Sequence, residues 1–503
     1  MASRVFLLGV GGLSLDLLDP LIHRGWIPNL EYLLGRGVVG SLTSDVPPFA
    51  AAEWSTLLTG EGPGTTGFLE GWRKASGSYF PEVANLSTLA LRAPGSLLGR
   101  NSETVLLGVP LPGDPGSVPT EEAIQILKWK GGKFSVRSLD FSTPTFLGEC
   151  DSGSRGEETP ECVLEGAIRR MVVLSVSIAR TVRESNARVY GIHFAGLDRI
   201  LSLFQRDLLS ALLGRNGVSH EALLRQFFRV FDDALGAVLE LSRKTDSMIV
   251  LASAHGFASA HRVMNLNAFL ISRGYLALRP EGSSETLLRE VAAPVLRAMK
   301  IERRRIKKII GRPTLREVLD RTGSLLSSEI GLFDWGRTRA FALTRTGITL
   351  NVKGVESQGM VNPGPEARTM GEEIRKAILS LIDPATGKLP VKEVVWREEL
   401  FKGPGLPELP HLILRNWDSG YVLEDWRKVA PDGEIFSNPE SRTGSPQGPG
   451  FYCLHGSGHF LLGPRSSQLR SSPSLTLPEI VSFISSALDG KNSPSPDKIS
   501  QPS

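Results

Sequence analysis

The chain has 503 residues, 41% of them hydrophobic and 22% charged, with 57 Lys and Arg against 53 Asp and Glu and a formal net charge of +4. This composition excludes disordered and collagen-like classes and gives no global electrostatic case for nucleic acid; the length suits one large domain with an insertion or two to three domains. Three cysteines, Cys150, Cys162 and Cys453, are too few for a disulfide framework and form no CxxC pair, which fits a reducing, cytoplasmic compartment; a bridge closing the polar loop from Cys150 to Cys162 competes with the simpler reading of two free thiols.

The N-terminal "MASRVFLLGVGG" suits a buried first strand and its turn better than a signal peptide. Helical spacing follows in "LDLLDPLIHRG" and "IPNLEYLLGRG", then a strand in "ARVYGIHFAG", a long amphipathic helix in "HEALLRQFFRVFDDALGAVLELSRK" and a strand in "DSMIVLASAHG". Strands separated by helices imply a mostly parallel sheet covered on both faces, with ligands at the carboxyl ends of its strands. That directs attention to "GVGG", "FAGLD" and "SAHG". From about Glu281 to Glu399 the character changes. A basic helical run over 300–312 precedes two β-like segments in "RTRAFALTRTGITLNVKG" and a helix in "EARTMGEEIRKAILSLI", which together read as an insertion with its own sheet. "HLILRN" and "HFLLGPRSS" read as the return to the main core, and the polar tail 491–503 as disordered. No stretch reaches the roughly 18 uninterrupted apolar residues that a membrane helix needs.

The order of motifs resembles the type I phosphodiesterase and nucleotide pyrophosphatase branch of the alkaline phosphatase superfamily, from about Val5 to Ile484. The likeness is carried by "GVGGLSLDLLDPLIHRGWIPNLEYLLGRGVVGSLTSDVPPFAAAEWSTLLTGEGPGTTGF", "FAGLDRILSLF" and "VLASAHGFASAHRVMNLNAFLISRGYL", and by "TRAFALTRTGITLNVKG", "DPATGK" and "REELFKGPG" in the insertion. The resemblance implies an α/β fold: an alkaline-phosphatase-like three-layer α/β/α sandwich with an inserted α+β cap. The core would span 1–280 and 405–490, the cap 281–404 and the tail 491–503. It also implies two zinc or similar ions, each with about three protein ligands, sharing a threonine or serine nucleophile.

Residue by residue, much of that chemistry is replaced. The first aspartate falls on Gly11, the nucleophile on Ala50, the histidine one turn after Asp198 on Ser202, and the aspartate before His255 on Ala254; the histidine of a "PGxHG" turn falls on Thr66. No catalytic residue is assigned. Asp198, His255 and His455 are what remains of the metal ligands, with His459 an alternative to His455, so at most one ion is expected. Plainer roles compete with these: a helix cap for Asp198 and a structural histidine for His255. Glu53, three residues after Ala50, would repel a phosphate unless a cation intervened, or could ligate a relocated ion together with Asp45. Ser44, Ser55 and Thr56 match framework positions.

The expectation is therefore a catalytically degenerate homologue acting as a binding or regulatory protein for a phosphorylated small molecule or a protein partner. The alternative is an active phosphodiesterase or phosphatase with a rearranged metal site, which needs Asp198, His455 and another carboxylate to converge. The basic helix at 300–312 could meet nucleic acid or an anionic surface, but a solvated face is the plainer reading.

Overall fold

The computed structural model describes residues 4–44, 48–70, 72–74, 79, 81–93, 96–97, 103–111, 123–130, 133–140, 159–279, 332–424, 434–439, 443–456 and 474–489. Cys150, Asp45, His459, the basic run 300–312 and the tail 491–503 lie outside the described residues. Cys162 and Cys453 are both free thiols, the latter buried.

The chain begins with β1 (Val5–Gly9), α1 (Leu15–His23), α2 (Pro28–Arg36), β2 (Val38–Thr43), α3 (Ala50–Thr59) and α4 (Pro63–Thr66). A small hairpin, β3 (Trp72–Lys74) with β4 (Pro81–Val83), leads to α5 (Leu86–Arg92), β5 (Thr104–Leu107), β6 (Ala123–Lys130), β7 (Lys133–Asp140) and α6 (Pro160–Glu184). Then come β8 (Val189–His193), α7 (Leu197–Leu212), α8 (Glu221–Thr245), β9 (Met248–Ser259), β10 (Arg262–Met264) and α9 (Leu266–Ser272). After residue 332 follow β11 (Ala340–Phe341), β12 (Gly347–Leu350), a helix over Pro365–Leu379, β13 (Val391–Trp396), β14 (Leu412–Trp417), β15 (Tyr421–Leu423), β16 (Phe436–Ser437), β17 (Gly444–His455), β18 (Leu475–Thr476) and a final helix over Leu477–Asp489.

Nine strands form the main sheet in the order β18-β2-β17-β9-β1-β8-β5-β6-β7. The expected parallel block is there, β9-β1-β8-β5, but β17, β6 and β7 pair antiparallel with their neighbours, so the sheet is mixed. Side-chain alternation explains its two covered faces: Phe6 and Leu8 of β1 pack among α1, α2, α6, α7 and α8, whereas Val5 and Leu7 pack against α3, α5 and the final helix. Every residue of β1 is buried, as a central strand covered on both sides demands.

A second core, from Met264 to Leu423 with Tyr79 and Phe436, surrounds the four-stranded sheet β11-β12-β14-β13. It draws on both sides of the 281–404 segment. In particular "HLILRN" does not rejoin the main sheet: β14 pairs with β12 and β13. Among the described residues, no helix is long and apolar enough to cross a membrane.

Candidate functional site

Because β9, β1 and β8 are neighbours and parallel, their carboxyl ends bring three separate segments to one edge: Gly11 after β1, Asp198 in the first turn of α7, and His255 toward the end of β9. Opposite them stands the start of α3. That helix forms on a run of alanines and stops at Gly60, whose backbone takes the left-handed φ of 76° and returns its N–H to the Thr56 carbonyl. Its roll is fixed by Trp54. The indole lies where any Cβ at Gly9 would fall, 2.7 Å from its Cζ2, and its Nε1 donates to His193 Nδ1 at 3.1 Å. With Trp54 pinned, Ala50 faces the edge and Glu53 lies beside His255.

Glu53 and His255 form the centre. The Glu53 carboxylate meets His255 Nδ1 in a short hydrogen bond, with both residues buried. On the other side of the ring, Nε2 lies 3.6 Å from Asp198 Oδ1. Burial works against a charge on His255, but the Glu53 carboxylate, joined by that of Asp198, lifts its pKa above the ordinary value. For Asp198, burial dominates, and its pKa is pushed up to about 6 despite the attraction of His255. Asp198 Oδ1 is shut off from solvent and accepts no hydrogen bond, although the side chain as a whole is 31% exposed.

Two of the three residues expected to ligate metal therefore meet, and the third does not. In β17, which runs antiparallel to β9, His455 pairs with Ile249, whereas His255 pairs with Pro449. Six residues of strand separate the two registers, about 20 Å. His455 thus lies at the far end of the sheet, where burial, with Arg243 and Arg36 nearby, lowers its pKa. The part of β17 that reaches the site is Gly444 to Pro449. It is tied to α7 by the Thr443 N–H, which donates to the Ser202 carbonyl at 2.9 Å, and by Thr443 Oγ1, which donates to the Leu203 carbonyl at 2.8 Å. The capping role considered for Asp198 is also absent: Gly196 is the N-cap of α7, and no side chain caps it. Ser55 and Thr66 bond back to carbonyls four residues earlier, Ala51 and Gly62, as framework residues do.

Two cavities open here between the main sheet and the cap, of 470 and 430 Å³, sharing Pro48, His255, Trp417 and Pro446. The larger is also lined by Ala50, Asp198, Arg199, Ser202 and Arg345. Arg345 stands 4.7 Å from the centre of the Phe49 ring, immediately before Ala50. Its segment is fixed to the core by Glu70, whose carboxylate accepts from the N–H groups of Arg345 and Thr346 at 2.9 and 2.8 Å. Sequence reading did not single out Arg199 or Arg345. Arg199 directly follows Asp198 and could have been noticed; Arg345 reaches the site only through the fold of the cap. Among the described residues, no group of three or more His, Cys, Asp and Glu is arranged to hold a metal ion.

The whole chain is similar in fold to phosphonoacetate hydrolase from Sinorhizobium meliloti 1021, at 12% identity and a TM-score of 0.50, covering 97% of this chain and 96% of that one. Weaker likenesses extend to murine ectonucleotide pyrophosphatase / phosphodiesterase 5 (10% identity, TM-score 0.43, 97% and 95% covered) and to the wild-type alkaline phosphatase PafA (10%, 0.46, 97% and 95%). No curated protein matches the chain by sequence. Residues 5–312 match the family described as type I phosphodiesterase / nucleotide pyrophosphatase, and the chain belongs to that family.

Proposed function

We propose that this protein is a catalytically degenerate member of its family, a binding or regulatory protein that retains the cleft and has lost the two-metal reaction. The observation that carries this reading is Ala50 in the first turn of α3, facing the cleft where the resemblance calls for a hydroxyl nucleophile. A methyl group can neither attack phosphorus nor bridge two cations.

The donors present do not fit a pair of ions. Two ions about 4 Å apart need roughly six ligands rich in carboxylate. Here Gly11 and Ala254 remove two carboxylates, Ser202 removes an imidazole, and His455 is a strand's length away. A Cβ at Gly11 would lie 2.9 Å from Asp198 Oδ1, so the Asp198 carboxylate would have to move aside for any side chain there. The one new carboxylate, Glu53, is engaged with His255. The alternative of an active enzyme with a rearranged ion needed Asp198 and His455 to converge, which their positions do not support.

The test is metal content by elemental mass spectrometry together with turnover of bis-p-nitrophenyl phosphate in the presence of zinc or manganese. Metal-poor protein without turnover is expected. Two tightly bound ions with turnover would overturn the proposal.

A further inference from the structure

We propose that α6 (Pro160–Glu184) is a self-association helix, which docks through its outward face on the same helix of a second copy of this chain, antiparallel and about a twofold axis. No residue of that face lines the cleft cavities, so the inference stands apart from the function proposed above.

α6 carries two stripes. The inner one, Leu164, Ile168, Met171, Leu174, Ile178 and Val182, is buried in the main core with α7 and α8. The outer one runs Glu165, Arg169, Val172, Val176, Ala179 and Arg183, at intervals of four, three, four, three and four residues. That is the spacing of a coiled-coil seam. None of the six is buried, and the two valines are 44% and 67% exposed. A single exposed valine is ordinary on any protein surface. Two of them one turn apart, followed by an alanine and bracketed by charges, have the layout of a helix-pairing face.

The intervals read the same in both directions, and this decides the occupant. With the axis midway between Val172 and Val176, Val172 of one copy meets Val176 of the other, Arg169 meets Ala179, and Glu165 meets Arg183, each contact occurring twice. Both ends of the seam then pair opposite charges, and the long stem of Arg169 lies over a small residue. Parallel alignment would instead set Glu165 against Glu165 and Arg183 against Arg183. Arg183 is already oriented for the antiparallel contact, because its Nε donates to the Ala179 carbonyl at 3.1 Å and holds the guanidinium along the outer stripe. Its neighbour Arg180 is matched within its own helix by Glu184 at 2.7 Å, which offsets the positive charge beside the seam. From Glu165 to Arg183 the seam is about 27 Å long. With so few apolar residues it falls short of the roughly 1,200–2,000 Å² of a standard interface, so the dimer should dissociate on dilution.

Sedimentation velocity of the full chain, in a series from micromolar to near-millimolar protein, is the test. A reversible monomer–dimer equilibrium is expected. Val176→Asp sets a charge in the apolar middle of the seam from each copy and should raise the dissociation constant about tenfold or more. Because that position is 67% exposed, the melting temperature of the dilute variant should hold. Arg183→Glu alone brings two glutamates together at each end and should weaken association to a similar degree. Adding Glu165→Arg in the same chain restores opposite charges across the axis, and dimerisation should return. A chain that stays monomeric throughout the series overturns the proposal. So does a dimer indifferent to Val176→Asp, or one that the exchange of charges fails to restore. Each of those failures leaves the degenerate reading standing, which falls only to bound metal with turnover.

Discussion

Asp198 holds the least comfortable charge in the cleft. Its pKa stands near 6 against an ordinary 3.8, so the fold favours the protonated carboxyl. That contribution to stability is complete below about pH 4 and is lost as the pH rises through 6. Asp198→Asn should therefore stabilise the EDTA-treated protein above pH 7 by about 1–3 kcal/mol, after allowance for its partial exposure, and change little near pH 4. Thermal denaturation at the two pH values checks this, and an Asn variant less stable at high pH would mean that a cation satisfies Asp198. Gly11 makes the complementary case. Gly11→Asp would bring a second carboxylate against the first, 2.9 Å from Oδ1 at its Cβ alone. A loss of about 2 kcal/mol or more is expected, with zinc present or absent; full recovery on adding zinc would show that the two-metal site can still assemble.

Among the elements, the segment of the cap that carries Arg345 is the one on which the cleft depends. It is anchored by Glu70, buried, accepting two backbone N–H groups and the Thr346 hydroxyl. Glu70→Ala leaves those donors unpaired beneath the cap and should cost about 2–4 kcal/mol. The sharper readout is hydrogen exchange: the Arg345 and Thr346 amides should lose protection while those of β1 keep theirs. Much at this scale was legible in the sequence. α1, α2, α8, β8 and β9 follow their apolar periods, and Asp198 and His255 come together because neighbouring parallel strands end at one edge. α6 has an equally clear stripe, Leu164, Ile168, Met171, Leu174, Ile178 and Val182. His455 was misplaced because a Gly-Pro spacing says nothing about strand direction; only pairing with β9 fixes which end it occupies. The bond between Glu53 and His255 joins residues 202 apart, a distance at which no periodicity carries information.

At the scale of the molecule, the cleft exists because two cores are held against each other, and the hold is specific. Arg262, in β10 just beyond the main-sheet strand β9, donates from Nε and Nη2 to the two carboxylate oxygens of Asp383 at 2.8 and 3.1 Å. Asp383 is fully buried and also accepts from the Tyr421 hydroxyl and the Ala385 N–H. Arg262 holds its carboxyl below the usual range against the opposing effect of burial. The pair links β10, which follows β9 and pairs with β15 and β16 beside the second core, to the loop that follows the Pro365–Leu379 helix. Removing one partner strands a buried charge, so Arg262→Met should cost about 3–5 kcal/mol. The double change Arg262→Met with Asp383→Asn removes the charge while leaving an acceptor for Tyr421 and Ala385, and should recover part of that loss. If the clamp joins the cores, the loss falls unevenly: in the single variant, amides of β12 and β14 exchange at lower denaturant than those of β1 and β8. A uniform loss across both sheets would mean that the apolar contacts alone align the cap, and that the ion pair contributes stability without shaping the cleft.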